Sequence, residues 1–322
     1  MSAALVALTL GMLPAADVPA GPLAVETVEN LTLVDARRHK ELPVVVCFPK
    51  EAGRYPVIVF SHGAGGSGSR VLALPKFWAS HGYVCLVPTH ADSVALQRRQ
   101  AGGDKAKPPA NPKELAQGIV RRAVTDSANW LERAGDVSFL LDSFADLETK
   151  VPGLKGKLDP SHIGVGGHSL GAFTAQIVGG ATFDVGGEKG KSLADPRVKA
   201  VVQLSGQGTG QMGLTETSWE KLTLPMLTVT GSKDRGAGGQ GPAWKKEPFE
   251  KSPAGDKYHL FIEGANHLSF TGSLSVGAEQ KAIFGAVQQA TLHFWDAYLK
   301  GDVHAKEWLR SAKLESATLE WR

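Results

Sequence analysis

The sequence predicts an α/β architecture: a mostly parallel twisted sheet of about eight strands with helices on both faces, in one domain over residues 21–322. Three observations lead there. Short, mainly apolar runs of five to seven residues recur along the chain, the pattern of strands buried on both faces. Stretches with apolar residues three and four apart lie between them, so strand and helix alternate. No linker interrupts this alternation, although a norm of ~150 residues per domain would suggest two domains.

Residues 23–35 and 41–48 read as two opening strands, joined by the charged turn 37–40. Buried strands follow at 56–60 (PVIVF), 83–87 (YVCLV), 162–166 (HIGVG), 198–204 (VKAVVQL), 225–230 (PMLTVT) and 258–262 (YHLFI). Helices are expected at 71–80, 114–150, 170–179 and 278–299. The long one should break near Ala134 and Gly135; beyond that point Val137, Leu140, Leu141 and Phe144 share one apolar face.

Composition narrows the function classes. With 42% apolar and 21% charged residues the chain is neither disordered, fibrous nor multi-spanning. A formal charge of +3, from 35 basic and 32 acidic residues, is too small and scattered for a nucleic-acid partner. The one local excess is Arg98, Arg99, Lys105, Lys107, Lys113, Arg121 and Arg122 against Asp104 and Glu114, in a Gly/Pro-rich stretch that reads as a solvated loop. Cys47 and Cys85 sit in apolar strands and are expected as buried free thiols. Neither C-x-x-C nor H-E-x-x-H occurs, so no metal and no cofactor is expected. Residues 1–20 carry an apolar run and then Ala15, Ala16 and Ala20. They resemble a secretory signal without its opening Lys or Arg, and suggest a secreted or periplasmic protein, with a disordered apolar leader on a cytoplasmic protein as the alternative. Pro14 and the run's shortness argue against a membrane span. Glycine stands out: 38 of 322 residues, against a usual ~7%, which points to turns built from bare backbone.

The most informative run is IGVGGHSLGA at 163–172, which holds G-x-S-x-G as Gly167, His168, Ser169, Leu170 and Gly171 between an expected strand and helix. That context makes it a nucleophile elbow. A serine on so sharp a turn needs neighbours without side chains. The turn also aims the next helix at the reaction centre, so the Leu170 N–H is an oxyanion donor. A second donor should follow an earlier strand. SHGAGG at 61–66 follows PVIVF, and the Ala64 N–H is assigned that part, with His62 bracing the loop.

A serine needs a base, and the base an orienting carboxylate. TGSKD brings Asp234 past one strand, and EGANH brings His267 past the last. The order Ser, Asp, His along the chain is that of α/β-hydrolases. Asp195 and Asp159 precede their strands and so lie at the wrong end of the sheet, while Glu263 belongs to a strand edge. His259, His81, His162 and His293 fall within strands, at strand entrances or on the last helix. His90 follows YVCLV at the correct end and is a candidate substrate contact. The pocket wall should come from loops 67–70, 90–93, 207–219 and 235–249. Trp219 and Trp244 are candidate apolar walls there, with plain core packing as the alternative. The polar stretch 91–117 reads as a surface excursion rather than an apolar lid.

SHGAGG, LDPSHIGVGGHSLGA, DPRVKAVVQLS, TGSKD, KYHLFIEGANHLSFTG and TLHFWDAYLKGD together resemble the dienelactone-hydrolase and platelet-activating-factor-acetylhydrolase-like branch of the α/β-hydrolases, from about Leu31 to the C-terminus. The resemblance implies a serine carboxylester hydrolase with Ser169, Asp234 and His267 as triad, and Ala64 and Leu170 as oxyanion donors. True dienelactone hydrolases use a cysteine at the elbow; Ser169 instead argues for ordinary ester hydrolysis. Bacterial polyester hydrolases are similar more loosely, so the substrate is a small-molecule or polymeric ester. Acyl transfer by the same triad, or a non-catalytic binding member of the fold, are the alternatives.

Overall fold

A computed structural model describes residues 18–100, 111–273 and 277–322. Residues 1–17 of the expected leader, and Asp104, Lys105 and Lys107 of the basic stretch, lie outside the described residues.

The elements follow in chain order. Strands β1 (Val25–Asp35), β2 (Lys40–Pro49) and β3 (Tyr55–Ser61) open the chain, then helix α1 (Ala73–Ser80) and β4 (Val84–Pro88). Helices α2 (Val94–Gln100), α3 (Pro112–Thr125), α4 (Ser127–Asp142) and α5 (Phe144–Lys150) precede β5 (Leu158–His168) and α6 (Leu170–Val178). A small hairpin, β6 (Phe183–Val185) and β7 (Glu188–Lys191), comes before β8 (Val198–Leu204) and β9 (Met226–Lys233). The chain ends with α7 (Pro242–Lys251), β10 (Lys257–Asn266), α8 (Ala278–Leu299), α9 (Val303–Ser311) and β11 (Ala317–Trp321).

Nine strands form one sheet in the order β1-β2-β4-β3-β5-β8-β9-β10-β11. Neighbours from β4 to β10 run parallel; β1, β2 and β11 pair antiparallel at the margins. All eight runs read from the sequence lie in this sheet. The ninth, β11, is an edge strand whose alternating, partly exposed ATLEW carries no solid apolar run.

The solid runs arise because both faces are covered. Val57 and Val59 of β3 join the core beneath α3, α4 and α6, whereas Ile58 and Phe60 join the core beneath α1 and α8. The period of two survives, but each half meets an apolar layer. Cys47 and Cys85 are register partners across β2 and β4, buried, with both thiols free. Burial pushes the Cys47 thiol up to about 11.

The long helix does not break at Ala134 and Gly135. It divides at Asp126, whose side chain accepts the Ala128 N–H and caps α4, and again at Ser143. Gly135 serves packing instead: a Cβ there would sit 2.8 Å from the Arg38 guanidinium. Val137, Leu140 and Leu141 are buried on one face of α4 as expected, whereas Phe144 opens α5 beyond the break and is half-buried. Within the stretch expected as an irregular excursion, α2 and the start of α3 are helical. Among the described residues, no helix is long and apolar enough to cross a membrane.

Candidate active site

Ser169, Ser205, Asp234 and His267 are each the first residue past a parallel strand, β5, β8, β9 and β10 in turn. These four strands are consecutive neighbours in the sheet. Their carboxyl ends therefore deliver the four side chains side by side, where open α/β sheets bind ligands.

Ser169 holds φ 56° and ψ −118° between β5 and α6, a sparsely populated conformation for a residue with a side chain. The glycines around it are sterically required: a Cβ on Gly167 would lie 2.3 Å from the Gly171 backbone, and one on Gly171 would lie 2.0 Å from the Ser61 carbonyl oxygen. The G-x-S-x-G pattern thus records two backbone crossings. Among the described residues, the N–H groups of Leu170 and Ala64 donate to no protein acceptor, and both residues line the pocket beside Ser169.

The loop carrying Ala64 is held from behind. Arg133 of α4, 1% exposed, donates from Nη1 to the His62 carbonyl at 2.7 Å and from Nη2 to the Gly63 carbonyl at 3.3 Å. Its guanidinium also pairs with Asp92, which accepts the Gly65 N–H at 2.9 Å. His62 accepts the His90 N–H at Nε2, 3.0 Å, so its Nδ1 carries the proton donated to the Gly63 carbonyl at 2.7 Å. Burial and the Arg133 charge push His62 well below the usual histidine range, which keeps this ring neutral. The bracing expected of His62 is what its bonds perform.

His90 does not reach the pocket. It is fully buried, with Nδ1 2.8 Å from Asp136 and Nε2 3.1 Å from Ser61 Oγ. Asp136 in turn accepts from Arg38 at 2.9 Å and Lys40 at 2.7 Å. A Ser–His–Asp arrangement thus lies beneath the 61–66 loop, closed to solvent. The 90–93 turn therefore backs the loop rather than walling the pocket. Trp219 is likewise no wall: it is fully buried and donates from Nε1 to Gln176 at 2.7 Å. Trp244 does line the pocket, with its Nε1 bound to the Thr209 carbonyl at 2.7 Å.

Across the neighbouring strand ends, His267 Nδ1 lies 3.2 Å from Asp234 Oδ1 and 2.8 Å from Ser205 Oγ. Asp234 is fully buried; its Oδ1 accepts from Ser205 at 3.0 Å and its Oδ2 from Thr230 at 2.9 Å. Lys245 of α7, 2% exposed, donates to Ser205 Oγ at 2.8 Å and stands 3.6 Å from Asp234. Burial would raise the Asp234 carboxyl, but the His267 hydrogen bond and the Lys245 charge hold it below the usual range. The same burial pushes the Lys245 ammonium below its usual range, against the pull of Asp234. His168 donates from Nε2 to the His267 carbonyl at 2.6 Å; burial and the neighbouring His267 bring it down to about 3. No hydrogen bond joins Ser169 Oγ to the His267 ring among the described residues. The ring's Nδ1 edge is engaged, and its side chain, 36% exposed, fronts the pocket. Sequence reasoning missed Ser205, Lys245, Arg133 and Asp92. Only Ser205 left a signal, a hydroxyl directly after an apolar strand.

The pocket has a volume of about 470 Å³. Val71, Val124, Met212 and Leu268 give it an apolar lining, and Ser169 and His267 line it with them.

A strained serine between a parallel strand and a helix, with a buried acid and a histidine on neighbouring strands, decides the architecture. The fold is that of the α/β-hydrolases. A chlorophyllase family model matches residues 20–106, about a quarter of the chain, including the loop that carries Ala64. Platelet-activating factor acetylhydrolase of Cavia porcellus is 28% identical over 138 residues, 39% of this chain and 32% of that protein. The match thus spans about a third of the relative's length. Both similarities point to an ester-hydrolysing enzyme and support the resemblance to the platelet-activating-factor-acetylhydrolase-like branch.

Proposed function

We propose that this chain is a serine carboxylic ester hydrolase that acts through an acyl-enzyme on small or medium acyl esters. The observation that carries the reading is Ser169 at φ 56° and ψ −118°, lining a pocket that it shares with His267. Strained angles of this kind persist only where the surroundings impose them, and they cluster at reactive sites.

Ser169 Oγ attacks the acyl carbonyl while His267 Nε2 takes its proton. Asp234, aided by Ser205, fixes the proton on Nδ1 and stabilises the imidazolium that forms. The Ala64 and Leu170 N–H groups receive the oxyanion; one such donor is worth about 3–4 kcal/mol. Collapse of the tetrahedral adduct expels the alcohol, which takes the proton from His267. Water then attacks the acyl-enzyme with His267 again as base, and the acid departs. The apolar lining and a volume of about 470 Å³ suit a short or medium acyl group. The relative from Cavia porcellus is an acetylhydrolase, which agrees with a short one.

The test is a series of 4-nitrophenyl esters of increasing acyl length with wild type and Ser169→Ala. The variant should lose activity by about 10⁴-fold or more and lose labelling by a fluorophosphonate. Equal turnover by the two proteins would end the esterase reading.

A further inference from the structure

The elbow brings to the pocket one polar side chain that the proposed mechanism does not use. His168, the residue before Ser169, is 5% exposed and lines the pocket with it. Its Nε2 stands 2.6 Å from the His267 carbonyl oxygen. A carbonyl only accepts, so Nε2 carries the ring's hydrogen. Burial, with the neighbouring His267, brings the ring down to about 3, so at neutral pH it holds no second proton. Nδ1 is therefore a pure acceptor, and among the described residues no group donates to it. Gly63 keeps this atom uncovered: a Cβ there would stand 3.3 Å from Nδ1 and 3.4 Å from the Ser169 Cβ. The acceptor thus lies beside the nucleophile, within reach of a group on the carbons next to the ester.

A second observation repeats this polarity. Gln207 lines the same pocket, is 8% exposed, and its buried side-chain oxygen, a further acceptor, has no hydrogen-bond partner among the described residues. Buried acceptors are ordinarily paired, and leaving one without a donor is costly. A plain fatty ester has no donor for either atom, and an anion has no hydrogen to give. An ammonium would donate, but Arg70, Arg235 and Lys245 line the pocket and no Asp or Glu does among the described residues, so a cation is repelled. A hydroxyl is the smallest uncharged group that supplies a donor.

We infer that the pocket takes a hydroxy ester whose hydroxyl donates to His168 Nδ1, with Gln207 as the acceptor for a second hydroxyl where the substrate carries one. The inference rests on the esterase reading above and adds the substrate class.

Two matched pairs, followed by acid release at constant pH, test it. Ethyl 3-hydroxybutyrate against ethyl butyrate puts the hydroxyl in the acyl part. Hydroxyethyl butyrate against propyl butyrate puts it in the alcohol part. In at least one pair kcat/KM should favour the hydroxy member by about tenfold, and the pair that responds identifies the side. His168→Phe keeps a ring without an acceptor. It also loses the tie to the His267 carbonyl, but that loss lowers both members alike and cancels in their ratio. The ratio should drop by about tenfold in this variant. It should drop likewise in Gly63→Ala, whose methyl crowds Nδ1 while the His168 bond to His267 stays. Equal rates within both pairs, or a ratio that survives in whichever of these variants folds, would overturn the inference while the esterase reading stands. If no ester is turned over faster than by Ser169→Ala, both readings fall together.

Discussion

Ser205 has two lone pairs and one hydrogen, and its neighbours use all three. It accepts from Lys245 Nζ and from His267 Nδ1, each at 2.8 Å, so its own hydrogen must go to Asp234 at 3.0 Å. The ring tautomer at His267 is thereby set twice, by a carboxylate and by a hydroxyl whose direction Lys245 imposes. Asp234→Asn should still lower kcat by about 10⁴-fold, because an amide can donate to Nδ1 and favour the wrong tautomer. Steady-state hydrolysis of a 4-nitrophenyl ester measures this, and a near-wild-type rate would remove Asp234 from its assigned part. At this scale the sequence was legible where residue type and strand end coincide. Those two facts suffice to bring Ser169, Asp234 and His267 together, but they say which edge of the sheet a side chain reaches, not how deep it lies. His90 and Trp219 have the right edge and the wrong depth. Lys245 was illegible because a lysine on a polar helix ordinarily faces water.

Helix α4 shows what an element contributes beyond packing. One face buries Val137, Leu140 and Leu141 against the sheet, while Arg133 reaches under the 61–66 loop and grips two of its carbonyls. Truncating Arg133 to Met would leave Asp92 buried without its cation, a loss of about 3–5 kcal/mol. Chemical denaturation of Arg133→Met checks that value. Because the loop it holds carries the Ala64 N–H proposed as an oxyanion donor, kcat should fall more than KM changes, whereas a purely structural arginine would leave the folded fraction fully active. Element limits were read to the residue for β8 and α8, where apolar pattern and boundary coincide. They failed where a cap or a single packed side chain decides. Asp126 ends one helix and begins the next, and Gly135 makes room for Arg38.

For the whole molecule the consequence lies in acid. His62, His90, His168 and His259 are buried and held below the usual histidine range, chiefly by burial; His168 and His259 stand at about 3. The unfolded chain protonates these rings near 6.5, so below that pH it binds protons that the folded chain refuses. Their contribution is complete above about pH 6.5. It is lost as pH falls, by up to ~1.4 kcal/mol per histidine per pH unit. The lowered carboxyls of Asp92 and Asp136, the latter at about 2, add their loss only below the ordinary carboxylate value near 3.9. Urea denaturation from about pH 7.5 down to about pH 4.5 should therefore show a continuous decline that begins in the histidine range. A flat profile across that interval would contradict it.

The four adjacent strands that end in Ser169, Ser205, Asp234 and His267 also bear on how such a site can change over generations. The same ring nitrogen of His267 faces a hydroxyl on β8 and a carboxylate on β9, at 2.8 and 3.2 Å. Ser205 sits at φ 55°, a conformation that aspartate tolerates better than most residues. An acid introduced there would meet the imidazole and Lys245 together. Ser205→Asp combined with Asp234→Asn should accordingly recover about tenfold or more over Asp234→Asn alone, roughly the lower end of what a placed acid or base group contributes. Such a recovery would show that β8 and β9 each offer a position from which an acid serves the same imidazole, so that the acid could move by one strand while nucleophile and base keep their places.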